Sequence, residues 1–226
     1  MFNQALNTVR LVSSDPEIHR QVLTRLAGAL QNVSLEPSPA ALSKPVYEIV
    51  AATTGVADPF LEQKKLGNRS ALRLLPRVRA IINRSEDRLS AALHAAAAGN
   101  IIDLGIGHQF NLETDVLDIM TQDFAIDDTA TFRQELRPGR KLLYLGDNAG
   151  EIVFDLPLVE EILRTGVAVT FAVKSGPVIN DATLEDAREA GLPDVGPVIE
   201  PGAADIGICW ENCSEEFRRH FAEAGQ

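Results

Sequence analysis

Asp147 and Asn148 follow directly on the apolar run 141–145 and Gly146, and Asp181 follows Asn180 a short loop after a second apolar run, 167–173. Two carboxylates and an amide are hard oxygen donors, suited to Mg²⁺ or Mn²⁺ with water completing the shell. An ion so held polarises a phosphoryl oxygen and turns a bound water into a nucleophile. The same residues have a structural use, because an aspartate where a strand gives way to a helix commonly caps that helix. On spacing alone the two readings have equal claim.

Three further clusters contain reactive side chains. The run Gly99-Asn100-Ile101-Ile102-Asp103-Leu104-Gly105-Ile106-Gly107 has the Asp-x-Gly-x-Gly order of an S-adenosylmethionine or nucleotide turn, which would make the chain a Rossmann-like methyltransferase. An alanine-rich helical stretch precedes it where a strand is needed, and Gln109 stands where the third glycine belongs, so a helix end with a tight turn fits better. Cys209, Cys213 and His220 are one ligand short of a tetrahedral zinc site and read as structural cysteines. His19, His94 and His108 are scattered, with His108 beside the glycine run on a solvated loop. Neither a Ser-His-Asp arrangement nor a Walker loop is present.

Positioning Asp147, Asn148 and Asp181 together requires two adjacent parallel strands. From residue 141 the pattern runs strand, loop, helix, strand, loop, helix, with helices over 152–163 and 182–190. Alternation of this kind implies parallel pairing through right-handed crossovers, with ligands at the carboxyl edge of the sheet. Residues 197–199 and 204–210 are candidate further strands, and Ser214 caps a last helix. Ahead of these, residues 1–100 show helical spacing throughout. Asp15 and Pro16 start a second helix, residues 40–53 form a third, and Asp58-Pro59 announces a fourth that Pro76 should kink or restart. Ser85-Glu86-Asp87 opens the alanine-rich helix over 89–98. The expected fold is α/β (α/β/α, Rossmann-like parallel sheet) with an all-helical N-terminal region, divided into residues 1–100 and an α/β metal-binding domain over 101–226.

Composition narrows the function. A net charge of -11 argues against nucleic acid as a partner, because phosphate backbones need a basic face. Two cysteines are too few for a disulfide framework, and no apolar run approaches the roughly 20 residues that span a membrane. With no basic-then-apolar leader at the start, the expectation is a soluble, cytoplasmic protein.

The segments Leu145-Gly146-Asp147-Asn148-Ala149-Gly150-Glu151 and Lys174-Ser175-Gly176-Pro177-Val178-Ile179-Asn180-Asp181-Ala182-Thr183 together resemble the damage-control phosphatases, a metal-dependent group formerly filed as a domain of unknown function. Gly99-Asn100-Ile101-Ile102-Asp103 is similar to that family's upstream motif, and the helical start, with Gln4-Ala5-Leu6 and Asp15-Pro16, is similar to its prokaryotic stand-alone branch. The resemblance implies that Asp147, Asn148 and Asp181 bind a divalent ion (manganese, cobalt, nickel or magnesium). It implies that Asn100, Asp103, Lys174 and Asn180 line the substrate pocket and that Glu151 steadies the loop or a nearby water. The implied reaction is hydrolysis of phosphomonoesters of small phosphometabolites, sugar phosphates or phosphopantetheine-like compounds. Two departures stand out. A Cys-x-x-Cys segment frequent at the start of this branch is missing. The family's later Lys-Gly-x-Gly-Asn loop, whose lysine reaches phosphate, would lie past Gln226, so the α/β part is expected to be incomplete. A protein that keeps the ion site without turnover is the non-enzyme alternative.

Overall fold

A computed structural model describes residues 1–31, 33–34, 36, 38–105 and 112–224, without the side chains of 101–105 and 112–113. Helices α1 (Phe2–Val12), α2 (Pro16–Leu30) and α3 (Pro39–Thr54) come first. Asp15 caps α2 by accepting from the Glu17 N–H at 2.8 Å, and Pro16 takes the first helical position, where its missing N–H costs nothing. Ala5, Val9, Val22, Leu26, Val46 and Val50 are buried against one another as the core of this three-helix unit.

The fourth and fifth helices, α4 (Leu61–Arg84) and α5 (Arg88–Gly105), belong to a second and larger core. Ala71, Leu75, Val78 and Ile82 of α4 and Ala92, Ala95 and Ala98 of α5 pack against Ile152, Phe154 and Val159. The expected boundary near residue 100 therefore falls inside α5, and the two cores part between α3 and α4. Pro76 does not restart α4, since the helix runs on to Arg84. A proline deletes a single i to i−4 hydrogen bond, and buried Leu75 and Val78 on either side hold the helix through it. The alanine-rich helix expected over 89–98 runs further, since α5 continues to Gly105, inside the glycine run.

Two short helices, α6 (Leu112–Ile119) and α7 (Thr129–Glu135), lead into the sheet. Strands β1 (Lys141–Leu145), β2 (Ala168–Ala172) and β3 (Val198–Ile199) pair in parallel in the order β1-β2-β3. Tyr144 stands beside Phe171 and Leu145 beside Ala172, while Phe171 and Ala172 face Val198 and Ile199. Helices α8 (Glu151–Leu163) and α9 (Leu184–Ala190) connect the strands, and α10 (Glu215–Glu223) follows. The pleat sends Val169, Phe171 and Tyr144 into the large core and Leu143, Ala172 and Ile199 toward Phe217 of α10. Helices therefore cover both faces of this small sheet, and the fold class is α/β.

Residues 204–210 do not form the strand expected of them. Gly207 adopts φ +76°, a left-handed conformation incompatible with a ladder, and the Asp205 and Gly207 carbonyls turn inward to accept from Lys174. Trp210–Asn212 is a single 3₁₀ turn. Among the described residues no helix is long and apolar enough to cross a membrane.

Candidate active site

All three strands end at one level, so the segments that leave them share one edge. Gly146 N–H donates to the Ala172 carbonyl at 2.9 Å, and Val173 N–H donates to Ile199 at 3.1 Å. Gly146 has no room for a side chain, because a Cβ there would overlap the Phe171 ring and lie 3.1 Å from Ile152 Cγ2. Beyond it the chain turns through Gly150, φ +88°, into α8, a conformation that favours glycine.

The loops after β1 and β2 are bonded to each other. Ala149 N–H donates to the Asn180 carbonyl at 2.9 Å and Ala182 N–H to the Asp147 carbonyl at 2.7 Å, which makes Asn148 and Asp181 an antiparallel bridge. The residues that the sequence singled out from two distant segments thus lie side by side. The capping alternative fails for both acids. The N-cap of α8 is Gly150, and that of α9 is Thr183, which forms a capping box with Asp186. Asp147 is exposed to solvent at the sheet edge and Asp181 is half-buried. The Asn148 side chain is buried and donates from Nδ2 to Glu151 Oε2 at 3.4 Å, which turns the amide oxygen away from Glu151. Among the described residues no three His, Cys, Asp or Glu side chains form a ready ligand set. The donors here are two carboxylates and one amide oxygen, a hard set that suits a small divalent cation with water in its remaining positions.

Lys174 sits at the end of β2, and its ammonium is 3.4 Å from Asp181 Oδ2. It also donates to the Asp205 carbonyl at 3.1 Å and the Gly207 carbonyl at 2.6 Å. The buried lysine therefore joins loop 204–207 to the acidic edge. A cleft of about 260 Å³, lined by Gly146, Asp147, Lys174, Pro201 and Ile208, opens there. Asn100 is exposed, close after Gly99, where a Cβ would lie 3.1 Å from Glu151 Cγ. Asn100 is thereby placed near the start of α8 by the close α5–α8 packing. The side chain of Asp103 and all of His108 lie outside the described residues. Residues 88–105 are helix, so the strand that an S-adenosylmethionine turn must follow is not there. The two cysteines are free thiols, Cys213 buried and Cys209 exposed, so only the first is structural in the expected sense.

A polar scaffold beneath the site escaped sequence reasoning. Asn68 of α4, fully buried, accepts from the Gly150 N–H at 2.7 Å and donates to Asp186 at 3.0 Å and Glu189 at 2.9 Å. Lys64, one turn earlier, pairs with Asp58 at 2.8 Å and Asp186 at 3.3 Å. Burial works against the Lys64 charge, but the two carboxylates outweigh it and raise its pKa. One polar network therefore ties the turn into α8 to the start of α9. On the inner side of α8, Asp155 is buried and accepts from the Tyr144 hydroxyl at 2.7 Å. Burial, aided by the nearby charges of Glu151 and Asp147, lifts its carboxyl to about 7 against the lowering effect of the Tyr144 bond. Tyr144 is pushed up by burial and by the Asp155 charge. The signal for Lys64 and Asn68 was their i, i+4 spacing on the helix face that continues through Ala71 and Leu75.

A parallel sheet whose adjacent strand ends carry an acid–amide pair, a second acid and a lysine defines an α/β protein with a polar ligand site at its carboxyl edge. The chain belongs to the damage-control phosphatase ARMT1-like family, whose model matches residues 1–225. It is 33% identical to a damage-control phosphatase of Archaeoglobus fulgidus over 95% of this chain and 76% of that protein. It is 31% identical to a damage-control phosphatase of Pyrococcus horikoshii, over 99% and 78%. The crystal structure of a Pyrococcus horikoshii protein of the DUF89 family superposes with a TM-score of 0.88 at 30% identity, over 99% of this chain and 78% of that one. A 4'-phosphopantetheine phosphatase of Mus musculus is 28% identical over 58% of this chain and 18% of its own length.

Proposed function

We propose that this chain is a metal-dependent phosphatase acting on phosphomonoesters of small metabolites. The observation that carries the reading is the pairing of the two loops, which places Asp147, Asn148 and Asp181 at one edge while other residues cap α8 and α9. Asp147, Asn148 and Asp181 would hold the ion, with manganese, cobalt, nickel and magnesium as candidates. When bound, such an ion supplies charge neutralisation on the phosphoryl oxygens and a water of lowered pKa.

The chain's own groups account for the remainder. Lys174 brings a fixed positive charge to the acidic edge, where it offsets part of the phosphate charge. The start of α8 points its positive dipole end toward the same edge. Asn148, held by Glu151, and the turn held by Asn68 keep these groups in place. Asn100 and Asn180 are positioned to border the substrate. The cytoplasm is the proposed compartment, consistent with two free thiols.

Hydrolysis of p-nitrophenyl phosphate, measured with Mn²⁺, Co²⁺ or Ni²⁺ and again with EDTA, tests the reading. Turnover should require an ion and disappear in Asp147→Ala and Asp181→Ala. Turnover that EDTA leaves intact would overturn it, and ion binding without turnover would favour a binding protein.

A further inference from the structure

Asp205 belongs to the loop whose Gly207 and Ile208 line the cleft, and its carboxylate is held from both oxygens. Lys44 of α3 pairs with Oδ1 at 2.7 Å, and Asn212, in the single 3₁₀ turn, donates to Oδ2 at 2.6 Å. These bonds, that of Lys44 foremost, hold the Asp205 carboxyl below the usual carboxylate range. The side chain of Asp205 is thus anchored to the three-helix unit while its backbone serves the sheet. Its carbonyl accepts from the Lys174 ammonium at 3.1 Å, and that of Gly207, presented from φ +76°, accepts at 2.6 Å.

An ammonium has three N–H donors, and the third approach of Lys174 is to Asp181 Oδ2 at 3.4 Å. An ammonium and a carboxylate left to themselves settle closer, at about 2.8 Å. The backbones at both ends are fixed, since the Lys174 N–H donates to the Ala182 carbonyl at 2.9 Å and Asp181 is bridged to Asn148. Only the far end of the lysine can adjust, and the two carbonyls decide where it stops. A neutral carbonyl attracts an ammonium less than a charged carboxylate does, so the stop depends on a loop that stays in place.

We propose that Asp205 is a positioning residue, which fastens loop 204–207 so that its carbonyls keep Lys174 from closing on Asp181. The consequence for the ion rests on the phosphatase reading: a lysine held back does not neutralise an acid that the ion needs, and its charge stays directed at the cleft. If the loop is released, closing from 3.4 Å to about 2.8 Å strengthens the pair about fivefold at an effective dielectric constant of about 20. An incoming ion has to overcome that gain.

The test has a metal-free arm and a Mn²⁺ arm, both on the full chain. In EDTA, Asp181→Asn should lower Tm by more in an Asp205→Ala background than in the unmodified chain, because released Lys174 pairs more closely with Asp181. In calorimetric titration, Asp205→Ala should weaken Mn²⁺ binding about fivefold, and should have no such effect in a chain carrying Lys174→Met. Lys44→Met should act in the same direction to a smaller extent, since its ion pair is partly exposed. Gly207→Ala, which strains the turn that presents the second carbonyl, serves if Asp205→Ala does not fold. Equal Tm losses in the two backgrounds, or a Mn²⁺ effect that persists with Lys174→Met, would overturn the positioning role and leave the phosphatase reading standing. Coupling in EDTA with no Mn²⁺ binding by any of these chains would support the positioning role and overturn the ion-site reading.

Discussion

Asp155→Asn should stabilise this protein increasingly as pH rises through the range below about 7, and hold the full gain at alkaline pH. Asp155 is 4% exposed, and burial, with the charges of Glu151 and Asp147, raises its carboxyl from 3.8 to about 7. Below about pH 3.8 the group is protonated in both folded and unfolded chains and contributes no pH dependence. Between that point and about 7 the folded state holds a proton that the unfolded state has lost, so stability falls as pH rises. Above about 7 both states are ionised and the full cost applies, about 4 kcal/mol at about 1.4 kcal/mol per pH unit. About 3 kcal/mol of this accrues between roughly pH 5 and pH 9. An asparagine keeps an oxygen for the Tyr144 hydroxyl and cannot ionise. The difference in stability between the variant and the unmodified chain, from urea unfolding across this range, should therefore widen by about 3 kcal/mol, or on the order of 10 °C in Tm. Asp147→Asn deletes one of the charges acting on Asp155 and should move the midpoint of that widening to lower pH. Parallel stability curves for the two proteins would refute the reasoning, because they would mean that Asp155 is ionised in the fold at all these pH values.

Other outcomes follow from the scaffold. Asn68→Ala leaves the Gly150 N–H without its acceptor and removes one donor each from Asp186 and Glu189, and should cost about 3 kcal/mol in chemical unfolding as well as lowering kcat. Gly146→Ala drives a methyl into the Phe171 ring and should lower stability by roughly 1–3 kcal/mol, read as a drop in Tm. Lys174→Met strands the Asp205 and Gly207 carbonyls, and should speed amide hydrogen exchange in residues 204–209 while weakening inorganic phosphate binding.

The elements that position the site were readable because their signals are local. Gly146 stops one apolar run, the 152–163 pattern has helical period, and Ser214 and Asp15 are caps whose partners lie two or three residues on. What brings Asp147 to Asp181 was legible only as a conditional, that β1 and β2 be neighbours, since strand adjacency is decided by the whole chain. Three local signals were overridden by tertiary packing. Pro76 was carried within α4, Gly99 was held inside α5 by its close approach to Glu151, and the backbone at 205–207 was turned inward by Lys174, which draws in the Asp205 and Gly207 carbonyls. The scaffold of Asn68, Lys64 and Asp186 was missed because its contacts to Asp186 cross more than a hundred residues: the i, i+4 spacing puts Lys64 and Asn68 on the face of α4 that continues through Ala71 and Leu75 but does not name the partner across the core.

The central claim is that Asp147, Asn148 and Asp181 form one ion site. Calorimetric titration of the full chain with Mn²⁺ addresses it directly. The account predicts saturable binding at one site, lost in Asp147→Ala and in Asp181→Ala and retained in Asp155→Asn. Mn²⁺ binding that survives both alanine substitutions would contradict it.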